Sequence, residues 1–154
     1  DARLLGYGCD FGYSVDPTTL IALYKYNDAY IYDEVLYKKG LLNRDISRFL
    51  EASDIKELIV ADSAEPKSIA ELRGYGHNIT GVSKGRDSVV YGINLINQNK
   101  IYVTSNSTNL KRELGGYVWS KDKEGNQTQK PSGLHPDAID AARYILTEGK
   151  YYVY

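Results

Sequence analysis

The chain has 154 residues, a net charge of −1 and an apolar content of 42%, so we expect residues 1–154 to form a single globular domain. The near-neutral charge excludes a uniformly basic nucleic-acid-binding protein, the single cysteine excludes an internal disulfide, and no apolar run reaches the roughly 20 residues of a membrane span. Because the chain starts at Asp1 and contains no Met, we expect it to be the C-terminal piece of a longer protein.

The first predicted strand, residues 5–13, has two very different faces. One face carries large or apolar side chains, namely Leu5, Tyr7, Cys9, Phe11 and Tyr13. The other face carries only Gly6, Gly8, Asp10 and Gly12. Glycine within a strand often marks the close approach of another backbone or of a ligand. A carboxylate there needs a partner, which a cation would supply, although an ordinary strand end with Asp10 in water explains the pattern as well.

After Gly40, the spacing of the apolar residues changes from the pattern of strands to that of helices. Strands at 18–26 and 30–37, joined by a short turn, complete an antiparallel meander with the first strand. Asn43 is the expected N-cap of the first helix, which extends to Leu50. The remaining predicted elements are a strand at 57–62, a helix at 66–73, a strand at 77–82, a helix at 85–97, a strand at 101–104, a helix at 109–114, a long polar loop at 120–134 and a final helix from 136 to about 146.

This order of elements predicts the fold class. Three antiparallel strands, then alternating helices and strands, indicate an α/β fold in which a mixed sheet has helices on both faces. The same order is found in the ribonuclease H-like fold of resolvases and integrases.

Two further acids, Asp62 and Asp140, occupy unusual positions, and Asp137 lies close to the second of them. Asp62 ends an apolar run, and sites in open α/β sheets form where loops leave the strand ends. A helix-entry cap ahead of Pro66 is the alternative interpretation of Asp62. Asp137 and Asp140 lie one turn apart on one face of the final helix. Asp137 also suits the helix dipole, an account that fails for Asp140 because it lies deeper in the helix.

These acids predict one site if two conditions hold. If the strands of Asp10 and Asp62 are neighbours and the final helix crosses above them, the carboxylates of Asp10, Asp62 and Asp140 converge. Oxygen ligands without clustered His or Cys favour Mg²⁺ or Mn²⁺ over Zn²⁺. Two such ions a few Å apart can activate water and stabilise the leaving oxygen of a phosphodiester.

The chain also carries the motifs of a known family. They are GCDFGYSVDPT at 8–18, ADSAEPKS at 61–68, ELR at 71–73, KGRDS at 84–88, GYVW at 116–119 with Asp122, and AIDAARY at 138–144. With these motifs, which span nearly the whole chain, the sequence resembles the C-terminal nuclease domain of the large terminase subunit of tailed bacteriophages.

The resemblance implies a ribonuclease H-like endonuclease that cuts concatemeric phage DNA during packaging with two divalent ions, Mg²⁺ or Mn²⁺. It assigns catalytic, metal-binding roles to Asp10, Asp62 and Asp140. Relatives often carry His where this chain has Asp137, and we expect Asp137 to be a further metal ligand. The expected DNA contacts are Lys67, Arg73, Lys84 and Arg86, with Lys121, Lys123 and Lys130 of the polar loop lying along DNA or covering the site.

The resemblance further implies partners and a location. They are double-stranded DNA and, in the full-length protein, an N-terminal packaging ATPase, the portal and the small terminase subunit, in the cytoplasm of an infected bacterium and with no membrane partner. No Gly-x-x-x-x-Gly-Lys-Ser/Thr motif occurs, so we expect no ATPase activity from this chain. Two alternatives stay open: a junction resolvase or integrase of the same fold, and a non-catalytic module that docks on DNA or the portal.

Overall fold

A six-stranded mixed sheet forms the centre of the fold. The structure, a computed structural model, describes residues 1–82, 94, 98–116, 119–121, 127–131 and 137–149. The strands are β1 (Arg3–Asp10), β2 (Thr18–Tyr26), β3 (Ala29–Lys38), β4 (Ile59–Ala61), β5 (Ile79–Gly81) and β6 (Lys100–Val103), in the spatial order β5-β4-β1-β2-β3-β6. The antiparallel meander β1-β2-β3 is confirmed, and β4, β5 and β6 each pair in parallel with a neighbour.

Helices pack on both faces of this sheet, as the sequence predicts. They are α1 (Asn43–Ala52), α2 (Pro66–Gly74), α3 (Thr108–Gly116) and α4 (Asp137–Gly149). On one face, α4 and Leu110 of α3 pack against buried side chains of β2 and β3 such as Ile21 and Tyr32. On the other face, Leu50 of α1 and Leu72 of α2 pack against side chains that include Tyr7 and Cys9 of β1. None of the helices in the described ranges is long and apolar enough to cross a membrane.

The first strand differs from its prediction at both ends. It ends at Asp10 rather than Tyr13, and the Tyr13 side chain is 54% exposed. The pairing of β1 with β2 shifts register between Leu4 and Gly6, which breaks the strict alternation of side chains. Leu5 therefore packs on the α4 face of the sheet, whereas Tyr7 packs on the α1 and α2 face.

Two other local predictions are wrong. Asn43 does not cap α1, because Leu42 occupies the N-cap position and its N–H donates to Asp45 Oδ2 at 2.8 Å. The loop predicted at 120–134 contains an antiparallel pair, β7 (Trp119–Lys121) with β8 (Gln127–Pro131), whose strands are too short and polar for a period to show. The predicted helix at 85–97 lies outside the described residues except for Asn94, which is helical.

Candidate active site

Asp10 and Asp62 leave the sheet side by side. β1 and β4 are parallel neighbours, and the last pair in their register is Cys9 with Ala61. Asp10 and Asp62 are the next residues along their two strands, so both stand at the same sheet edge. The first condition for a converging site is therefore met, at the strand ends where α/β sheets place their sites.

Helix α4 packs against the face of β1 that carries Gly8. A Cβ atom on Gly8 would lie 1.7 Å from the carbonyl oxygen of Ala141, far inside any real contact distance. The close approach predicted from these glycines is thus made by another backbone, that of the helix carrying Asp137 and Asp140. Thr19, which pairs with Asp10 across β1 and β2, donates its hydroxyl to the Asp137 carbonyl at 3.1 Å. The second condition, a helix crossing above the strands, is also met.

The electrostatics of Asp10 show that four carboxylates come together. Its pKa is raised to about 8, first by burial and then by the negative charges of Asp140, Asp137 and Asp62. A hydrogen bond between the Asp10 and Asp137 side chains raises the pKa further. The site is therefore strongly anionic, and it relieves part of its repulsion by retaining a proton.

Neighbouring groups already orient two of these acids. Asp62 Oδ1 accepts the Ala64 N–H at 2.9 Å in an Asx turn ahead of α2, whose N-cap position is held by Glu65 without a side-chain cap. Asp140 Oδ1 accepts from Arg143 Nη2 at 3.1 Å, and the Arg143 side chain is buried. In the described part of the chain, no three His, Cys, Asp or Glu side chains are grouped closely enough to hold an ion without rearrangement. The four acids are close enough for their charges to act on Asp10, and Asp10 and Asp137 are hydrogen-bonded to each other.

The sequence matches one family model over residues 10–148, described as the terminase RNase H-like domain. The chain belongs to this family. It is 31% identical to the large terminase subunit of Bacillus phage SPP1 over 146 residues, covering 90% of this chain and 35% of that protein. It is also 31% identical to the PBSX phage terminase large subunit of Bacillus subtilis (strain 168), covering 92% of this chain and 34% of that protein. The chain spans about a third of the length of these curated relatives.

Solved structures of large terminases share the fold. The nuclease domain of the SPP1 large terminase, crystallised with bound Mn, superposes with a TM-score of 0.81 at 26% identity and covers 92% of this chain and 84% of that one. The P22 large terminase nuclease domain gives a TM-score of 0.70 at 13% identity, covering 95% and 81% of the two chains. The mixed sheet with helices is thus the ribonuclease H-like fold of terminase nuclease domains.

Two of the predicted DNA-binding residues of this terminase domain, Lys67 and Arg73, lie at opposite ends of α2. Lys67 is exposed in the first turn of α2, soon after Asp62 leaves the sheet. Arg73 lies in the last turn of α2, at the other end of the helix, where its Nε donates to the Ile79 carbonyl at 2.7 Å. Lys84, Arg86 and Lys123 lie outside the described residues, and Lys121 and Lys130 belong to β7 and β8.

Sequence reasoning overlooked three residues that contact the acids or their helix. Arg143 could have been found, because it follows Asp140 by three positions and so faces it on the same side of α4. Thr19 and Glu113 carry no such local pattern. Glu113 Oε1 accepts the N–H groups of Ala138 and Ile139 at the start of α4, a contact that only the tertiary fold creates.

Proposed function

We propose that this chain is the nuclease domain of a phage large terminase and cuts concatemeric phage DNA during genome packaging by metal-dependent hydrolysis. The observation that carries the proposal is the convergence of Asp10, Asp62, Asp137 and Asp140 at one sheet edge, reported by the raised pKa of Asp10. The SPP1 nuclease domain, a relative with the same fold, has been crystallised with bound Mn, which supports a divalent ion as the cofactor.

The four acids provide the type of ligand that Mg²⁺ and Mn²⁺ prefer. All four offer hard carboxylate oxygens, and their mutual repulsion, expressed in the pKa of Asp10, is what a bound cation would offset. Two ions held by Asp10, Asp62, Asp137 and Asp140 would supply an activated water and stabilise the charge that develops on the phosphate oxygens. Binding requires the hydrogen bond between Asp10 and Asp137 to be exchanged for metal contacts, whereas the bonds that Asp140 and Asp62 accept from Arg143 and the Ala64 N–H can be kept.

The residues of this chain would act by fixing the carboxylates. Arg143 holds one oxygen of Asp140, and the Ala64 N–H holds one oxygen of Asp62, so the direction of the second oxygen is set in each case. Asp10 is partly buried at the centre, where the charges of the three other acids all act on it. We assign Asp137 to a second ion and the other three acids to the catalytic core.

Substrate contacts in this proposal are electrostatic. Lys67 is exposed in the first turn of α2, and it remains a proposed phosphate contact together with Lys84, Arg86 and Arg73. Contacts to phosphates carry no sequence information, so cleavage by this domain alone should be weakly specific. In the full-length protein we propose an N-terminal packaging ATPase, the portal and the small terminase subunit as partners, in the cytoplasm of the infected host.

Incubation of supercoiled plasmid with the protein tests the proposal. With Mn²⁺ we expect nicked and then linear DNA, with EDTA no cleavage, and with excess Mn²⁺ after EDTA a return of cleavage. A four-way junction and a linear duplex of equal length serve as paired substrates. Cleavage of the junction alone would indicate a resolvase, and no cleavage of any substrate would indicate a non-catalytic docking module.

A further inference from the structure

Glu113 lies next to the acid cluster but is not one of the acids assigned to the reaction. We propose that Glu113 is a positioning residue, which fixes the start of α4 and thereby places Asp137 and Asp140 at the metal centre. The inference rests on the proposed function, because it takes those acids as metal ligands.

The hydrogen bonds of Glu113 Oε1 are made with the start of α4. This atom accepts the Ala138 N–H at 2.9 Å and the Ile139 N–H at 3.1 Å. N–H groups in the first turn of a helix have no partner within the helix, so an outside acceptor must supply one. Here the acceptor comes from α3, a separate helix, and it binds the two residues that directly follow Asp137.

A second contact holds the same turn from the sheet. The Thr19 hydroxyl donates to the Asp137 carbonyl at 3.1 Å, and Thr19 is fully buried and paired with Asp10 across β1 and β2. The start of α4 is therefore held by two contacts. Its N–H groups donate to Glu113 of α3, and its Asp137 carbonyl accepts from Thr19 of β2. Since Thr19 pairs with Asp10 in the sheet, this contact fixes the start of α4 relative to the end of β1 that carries Asp10.

The chemistry of Glu113 suggests more than an ordinary helix cap. Its second oxygen, Oε2, is buried and has no hydrogen-bond partner within the described residues. A buried, unsatisfied carboxylate oxygen is costly, and a further negative charge beside Asp137 adds repulsion to an anionic cluster. A cap with no other role would not need such a group, and carboxylates that orient metal ligands commonly surround metal centres.

Mn²⁺ binding by the 154-residue protein provides the test, with no reliance on cleavage. Isothermal titration and the Mn²⁺-dependent rise in Tm are measured for the wild type, Glu113→Ala and Glu113→Gln. Removal of an orienting residue typically weakens metal binding by about 10- to 100-fold, so we expect that decrease for Glu113→Ala. Glu113→Gln keeps an oxygen that can accept both N–H groups, and its affinity should stay within about threefold of wild type.

Asp45→Ala is the matched control. Asp45 Oδ2 also accepts a backbone N–H at a helix start, that of Leu42 at 2.8 Å, but on α1 and the opposite face of the sheet. This variant should lower the Tm of the metal-free protein and leave the Mn²⁺ affinity unchanged. Equal decreases of affinity in Asp45→Ala and Glu113→Ala would reduce the role of Glu113 to general stability and overturn the proposal.

The remaining outcomes separate the two proposals. If the wild type binds Mn²⁺ and Glu113→Ala binds it equally well, the positioning role is wrong and the metal centre stands. If the wild type does not bind Mn²⁺, the proposed function fails and the positioning role fails with it. If Glu113→Ala does not fold, Glu113→Asp replaces it. Its shorter side chain should weaken Mn²⁺ binding, whereas Glu113→Gln should not. Weaker Mn²⁺ binding by Glu113→Gln than by Glu113→Asp would overturn the proposal.

Discussion

The side chains of Asp10 and Asp137 are hydrogen-bonded to each other across the contact between β1 and α4. Two carboxyl groups can form such a bond only if one of them carries a proton. Protonation of this pair removes one negative charge from the four acids, which reduces the repulsion that a bound cation would otherwise offset.

This shared proton predicts how the stability of the metal-free protein depends on pH. The pKa of Asp10 is about 8 in the folded chain against an ordinary value of 3.8, so folding favours the protonated form. The stabilisation is fully present below the ordinary value and is lost as pH rises toward 8. In EDTA, the Tm of the wild type should fall between about pH 5 and 9 more steeply than that of Asp10→Asn. Parallel curves for the two proteins would contradict the prediction.

Asp137→Asn distinguishes a metal ligand from a helix-start residue. As a ligand of the second ion, Asp137 should matter most at low metal, so the variant should need more Mn²⁺ for half-maximal cleavage. As a partner of the helix dipole alone, it should cost a few tenths to ~1 kcal/mol of stability and leave cleavage unchanged. Cleavage is measured against Mn²⁺ concentration beside the Tm of each protein. Superimposable metal curves with a lowered Tm would leave Asp137 as a helix-start residue only.

Gly8→Ala should move Asp137 and Asp140 of α4 away from Asp10 and Asp62 at the strand ends. The added Cβ would lie 1.7 Å from the Ala141 carbonyl oxygen, so α4 must move away from β1. Overpacking of this kind typically costs about 1–3 kcal/mol, and we expect the upper end because the neighbour is backbone. Mn²⁺ affinity should fall together with the Tm.

Gly74→Ala is the control for this variant, since a Cβ on Gly74 at the end of α2 meets no atom within 4 Å. It should change stability by less than about 1 kcal/mol and leave Mn²⁺ affinity at the wild-type value. Wild-type metal binding by Gly8→Ala would show that the position of α4 does not control the site.

DNA binding should be weak and electrostatic. The chain carries a net charge of −1, so only a local basic surface can neutralise phosphates. Lys67→Ala, and Lys84→Ala with Arg86→Ala, should each flatten the plot of log affinity against log salt, by about 0.9 for every phosphate that the variant no longer neutralises. Lys56→Ala is the control, because Lys56 is exposed at the opposite end of β4 and pairs with Asp54 at 3.3 Å. Salt-independent binding by the wild type would rule out this mode of recognition.

The placement of Asp10 and Asp62 at the ends of β1 and β4 could be predicted from the sequence, because it follows from local rules. Asp10 and Asp62 each end an apolar strand, and parallel pairing of β1 with β4 then brings them together without further information. The side on which Leu5 packs could not be predicted, because it depends on a register shift that only the pairing of two strands produces. The role of Glu113 was equally hidden, since its contacts join α3 to α4 through the tertiary fold.

The rate of plasmid cleavage by Asp10→Asn in saturating Mn²⁺ tests the central claim most directly. The substitution keeps the shape of the side chain and removes the charge that would hold the ions, so the fold should persist, with an unchanged far-UV circular dichroism spectrum. Cleavage should fall by more than about 100-fold. A decrease of about 100-fold is the most that is typical when a residue that only orients a metal ligand is lost. A folded Asp10→Asn protein that cuts plasmid at the wild-type rate would contradict the assignment of these acids as the metal centre.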